Sequence, residues 1–145
     1  MIKELKQSIL NGEFEEAKEC LKRVPKNMVE NDLVDLAYDT ENISVYLFVL
    51  KLLFEQEDAY LHCLASTIMS IGFSHVSGAY HIAYHHMIRA VELEPLDYSY
   101  KEGLLLFYRI PERLLSREDA VKLAQEILKD NPDSASAKSV LRDIF

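Results

Sequence analysis

The chain has 145 residues, 49% of them apolar, and only four Gly and four Pro. That length suits one domain with a core of its own, and so few turn residues disfavour compact β architectures. The net charge is −8, and no Lys/Arg cluster offers the basic surface that phosphate backbones need, which excludes nucleic acid as a partner.

Apolar positions at helical spacing predict an all-α chain of about nine short helices joined by tight turns. Ile2, Leu5, Ile9 and Leu10 share one face of a first helix, about Ile2 to Asn11, which Asn11-Gly12 ends. A second helix starts near Glu13, carries Phe14, Ala17, Leu21 and Val24, and stops at Pro25. The third covers Val29 to Tyr38, with Leu33, Leu36 and Ala37 inward and acids on its other face. Thr40 is placed to cap a fourth, about Glu41 to Phe54. This one is apolar almost all round, so a buried helix is expected. Asp58 caps a fifth, Ala59 to Ile71, followed by a Ser/Gly turn region from Gly72 to Gly78. The sixth runs from Ala79 to Leu93, and Asp97 caps a seventh that Pro111 ends. Ser116 with Asp119 opens an eighth, and Asn131-Pro132 reads as cap plus first-turn proline of a short ninth.

Charge is distributed unevenly along these elements. From Asn27 to Tyr60 there are eight acids (Glu30, Asp32, Asp35, Asp39, Glu41, Glu55, Glu57 and Asp58) against one base, Lys51. Such a surface either keeps the protein soluble or attracts a basic partner and speeds its encounter. From Leu61 to Ile88 there is no charged Asp, Glu, Lys or Arg, and all five histidines lie there. This suits a packed central hairpin. Gly72 and Gly78 interrupt the stretch, and Ile43 to Phe54 is too short for a bilayer, so no membrane span is expected. The N-terminus shows no apolar signal core and reads as a native start. Cys20 and Cys63 are too few for a metal or redox motif; two reduced thiols in a cytoplasmic protein are expected.

Three groups of residues are candidates for chemistry or binding. His81 and His85 stand at i and i+4, and Glu92 lies near their face, so these three are the candidate metal ligands. The two histidines lack the intervening Glu of the zinc-protease pattern. Asp32, Asp35, Asp39 and Glu41 are the candidate contacts to a basic partner. Tyr98 and Tyr100 are candidate aromatic anchors, since tyrosine gives large contact area at low entropy cost. No Gly-x-Ser-x-Gly elbow accompanies the serines near the histidines, and no phosphate-cradling loop is present. No cofactor is implied.

Internal similarity links the ends of the chain to its middle. The spacing Gly78, Tyr80, Ala83, Met87, Ala90, Val91, Pro95 resembles the second half of a tetratricopeptide repeat. Ala120, Ala124, Ile127, Leu128 and Pro132 resemble it again, and Pro95 and Pro132 stand 37 residues apart, against about 34 in that family. Asn11-Gly12-Glu13-Phe14, Ala17 and Leu21 resemble the turn and second-helix start, while segment 26–58 shows no repeat. The resemblance implies an α-solenoid of stacked antiparallel hairpins, a single helical-repeat domain over 1–145, which binds other proteins without catalysis. The expected function is a non-enzymatic interaction module with a basic protein partner, in one version a small bacterial immunity or antitoxin protein. The alternatives are a metal-binding protein or metalloenzyme using His81 and His85, and a homodimer formed through the apolar fourth helix.

Overall fold

In the computed structural model, which describes residues 1–145, those apolar stripes form nine α-helices and no strand. They are α1 (Ile2–Leu10), α2 (Phe14–Leu21), α3 (Lys26–Thr40), α4 (Ser44–Glu55), α5 (Ala59–Thr67), α6 (Ala79–Leu93), α7 (Tyr98–Arg109), α8 (Arg117–Asp130) and α9 (Ala135–Ile144), with a π-helical turn, Ile68–Gly72, continuing α5. The buried apolar side chains form one cluster of 34 residues that draws on every helix. Phe48 and Phe107 are its largest fully buried members.

The caps follow the sequence in most places. Asp58 accepts from the Leu61 N–H at 2.7 Å, Asp97 from the Ser99 N–H at 3.0 Å and Ser116 from the Asp119 N–H at 3.1 Å. Each contributes on the order of 1 kcal/mol to its helix. Two caps differ from expectation. Thr40 stays inside α3, its hydroxyl donating back to the Leu36 carbonyl at 2.6 Å. Glu41 then turns left-handed (φ 51°) and Asn42 accepts from the Ser44 N–H at 2.9 Å, so α4 begins three residues later than the capping pattern suggests. At the other end, Asn131-Pro132 belongs to the turn. Ser134 caps α9, accepting from the Ala137 N–H at 3.3 Å while donating to Glu102 at 2.9 Å. The buried Ser–Glu contact selects that position over the more exposed asparagine.

The π-helical turn replaces the last α-helical turn expected before Gly72. The hydroxyls of Thr67 and Ser70 bond back to the carbonyls of Cys63 and Ser66 at 2.9 and 2.8 Å, a habit that bends helices. The turn packs on α3. A Cβ on Gly72 would sit 2.8 Å from the Ala37 Cβ and 3.2 Å from the Ala37 carbonyl carbon. Gly72 is therefore a glycine of close helix approach, where the sequence suggested only a break. Gly78, at φ 86°, does serve the turn that starts α6.

Packing differs between the two halves. From α5 onward each helix packs on the next, and α7 also touches α9. Arg109 ties that last pair, 2.6 Å from Asp143 and 2.8 Å from the Ser139 hydroxyl. The small residues of the repeated pattern, Ala17, Ala83, Ala90, Ala120 and Ala124, are fully buried. In the first half α1 packs on α2, α3 and α4, and α3 packs on the π-helical turn as well as on α4 and α5. No helix is long and apolar enough to cross a membrane.

The fourth helix corrects the expectation of a buried element. Val45, Phe48, Val49 and Leu53 are buried, yet Ile43, Leu47 and Phe54 on the other side are 48%, 44% and 85% exposed. The helix covers α1, α3 and α5 with one face only.

Candidate functional site

The acidic face is built by α3 and the turn after it. Burial of Val29, Leu33, Val34, Leu36 and Ala37 leaves Asp32, Asp35 and Asp39 on the outer side. Asp32 is held by the Lys6 ammonium of α1 at 3.0 Å. Asp35 and Asp39 are exposed and lie within ion-pair distance of no lysine or arginine, and Glu41 has only the His75 ring at 3.9 Å. Asp39 and Glu41 lie at the negative pole of α3, which has no basic residue in its last turn, and Asp35 stands one turn before Asp39. Carboxylates are unfavourable there, because the unpaired carbonyls already carry partial negative charge. Tyr38, 64% exposed, stands among them.

The candidate aromatic anchors Tyr98 and Tyr100 lie apart from these acids, in the first turn of α7, at the end of the molecule where Asp97, Cys63 and Asp58 act on the Tyr100 hydroxyl. The same end holds Tyr60, whose ring lies 4.2 Å under the Lys26 ammonium at the start of α3. The length of α3, about 20 Å, separates that end from Asp39.

The histidine expected to matter also changes. His81 and His85 are exposed on α6, Glu92 is engaged by Arg89 at 3.1 Å, and nowhere do three or more His, Cys, Asp or Glu side chains come together as a ligand set. The structure joins His62 and His86 instead, with Nδ1 atoms 2.9 Å apart. Helical phase carries the signal for this. His81 and His85 point away from the buried stripe Ala79, Ala83, Met87 and Ala90, whereas His86 flanks it.

Around that pair runs a hydrogen-bonded chain from α4 through α6 to α5. Tyr46 Oη is 2.8 Å from His86 Nε2, and His62 Nε2 is 2.8 Å from Glu57 Oε1. Arg89 closes it with contacts of 2.6 and 3.3 Å to Glu57. The Arg89 guanidinium, then His62, hold the Glu57 carboxyl down at about 2, so it only accepts. With both rings neutral the chain has one consistent direction. Tyr46 O–H donates to His86 Nε2, His86 Nδ1–H donates to His62 Nδ1, and His62 Nε2–H donates to Glu57. Burial, then the charge of His62, pushes His86 down to about 4. The chain is a polar staple that ties α4, α6 and α5 together.

One pocket of about 440 Å³ lies among the α2–α3 turn, α3, α4 and α5, lined by Val24, Leu33, Leu52, Tyr60, Leu61 and Leu64 among others. The carboxylates at its rim are engaged: Glu55 by Lys18 and Lys51 at 2.7 and 3.1 Å, Asp58 by its cap. Cys63 is half-buried and its thiol is pushed up to about 11 by burial, so it is a poor nucleophile at neutral pH. The chain matches no protein-family model, no curated protein and no solved structure.

Proposed function

We propose that this protein is a non-enzymatic, cytoplasmic binding module for another protein, and that the partner presents a basic surface. The observation that carries the reading is the end of α3. Asp39 and Glu41 stand without a lysine or arginine at a helix pole that repels them, with the equally unpaired Asp35 one turn before Asp39 and the exposed Tyr38 between them in sequence. A fold gains nothing locally from that arrangement. A cationic partner would relieve it, and tyrosine is enriched among interface anchors.

The rest of the chain serves as a rigid support in this reading. We take α6 to α9 as tetratricopeptide-like: short helices packed each on the next, with alanines at the close approaches. A small inhibitor of the bacterial immunity or antitoxin kind, covering a basic toxin surface, fits the size and the charge of −8. The test is capture from an extract of the native host. Wild type should retain a basic protein that Asp35→Asn/Asp39→Asn/Glu41→Gln releases; equal retention by both would refute the reading.

A further inference from the structure

The outward face of α4 is the feature that the fold leaves unexplained. Ile43, Leu47, Leu50 and Phe54 follow one another at intervals of four, three and four residues. At 3.6 residues per turn these positions fall within about 60° of arc, opposite the buried Val45, Phe48, Val49 and Leu53. Leu50 is half-buried and the other three are exposed, Phe54 almost entirely. A helix in contact with solvent normally turns polar residues outward; one apolar all round is normally enclosed. The 4-3-4 interval is also the spacing on which a second helix seats its own apolar stripe.

Charge decides what kind of helix. Two residues before Ile43 stands Glu41, with Asp39 and Asp35 behind it, all without a lysine or arginine. Just past Phe54 the acids are already engaged: Glu55 by Lys18 and Lys51, Glu57 by Arg89, and Asp58 as the cap of α5. The one cation on the helix, Lys51, is committed to Glu15 at 2.9 Å and Glu55 at 3.1 Å. A second copy of this chain would bring another charge of −8. It would also set Asp39 and Glu41 against their own kind in a parallel pairing, or beside the already paired Glu55 and Glu57, with no free cation to meet them, in an antiparallel one. An apolar seam with unpaired acids at its Glu41 end is complementary to an amphipathic helix with an apolar stripe and a Lys/Arg flank. We propose that the outer face of α4 seats a basic amphipathic helix of the partner protein. This rests on the basic-partner reading above and adds where and in what form the partner docks.

The test uses the full-length chain and two dye-labelled peptides of about 15 residues, long enough for helix. One carries leucines at helical spacing among lysines. The other has the same composition in scrambled order, hence the same charge and no apolar face. Fluorescence anisotropy should show the amphipathic peptide bound at least tenfold more tightly. Leu47→Ser/Phe54→Ser, both at exposed positions, should abolish that preference. Asp39→Asn/Glu41→Gln should weaken both peptides severalfold. An undiminished preference in the serine variant overturns the docking face, as does equal binding of the two peptides by wild type. If wild type sediments as a dimer that the serine variant dissociates, the face belongs to a second copy and the proposal is likewise overturned. Should scrambled and amphipathic peptides bind alike while the acid variant loses both, the docking face fails and the basic-partner reading stands. Should the acid variant lose neither, the basic-partner reading itself fails.

Discussion

Glu41 shows how a single residue can be at odds with its own backbone. It ends α3 with φ 51°, a conformation that disfavours a side chain and that glycine adopts freely. It also adds charge to a pole that is already negative. Glu41→Gly should therefore raise stability by about 0.5–1 kcal/mol while weakening the partner, as read by urea denaturation beside the capture assay. A loss of stability would mean that the left-handed turn is not the source of strain. His86 makes a second residue-scale prediction. An unfolded histidine takes up its proton near the ordinary value, about 6.5, whereas the folded ring waits until about 4. Between those values the unfolded chain binds more protons, so stability must fall as pH falls through this window. The urea midpoint of wild type should drop from pH 6.5 to 5, above the range where the paired carboxylates titrate, and His86→Gln should flatten that drop. An identical slope in the variant would remove His86 as its cause.

At the level of elements, the contact between α3 and the π-helical turn is the least tolerant. A methyl on Gly72 meets the Cβ and the main chain of Ala37, neither of which can rotate away. Gly72→Ala should cost about 1–3 kcal/mol in urea denaturation. At Gly103 a new methyl meets the flexible end of Met87, so Gly103→Ala should be neutral or slightly stabilising. If the two behave alike, the close approach does not decide the packing. Helix positions were legible in the sequence because apolar stripes and Ser/Asp caps are local signals: α6 was legible from Ala79 to Leu93. The π-helical turn was not, because it depends on Ala37, far away in sequence. The start of α4 was misread because Thr40 is a good cap in isolation, and nothing local says that its hydroxyl bonds backward. The pairing of His62 with His86 was missed because spacing along one helix draws attention to His81 and His85, whereas the observed pair spans two helices. The acids of α3 were legible as a group, but the ion pair that takes Asp32 out of it comes from α1.

Over the whole molecule, many charged side chains are paired. Lys/Glu and Arg/Asp pairs neutralise much of the surface, as between α2 and α4 or α7 and α9. Such exposed pairs add little stability, about 0–1 kcal/mol each. Their consequence is that the net charge of −8 resides on acids left without a lysine or arginine, among them Asp35, Asp39 and Glu41 near the start of the apolar face of α4, and also Glu4, Glu16, Glu94 and Asp130 elsewhere. The field of such acids accelerates the approach of a basic partner and weakens as salt is added. The measurement that bears on this most directly is quantitative capture from native extract at about 50 and about 200 mM salt, wild type beside Asp35→Asn/Asp39→Asn/Glu41→Gln. The account predicts a basic protein held by wild type, held less at the higher salt, and reduced by at least about tenfold in the variant. Capture that is indifferent to salt and to the three substitutions would contradict it.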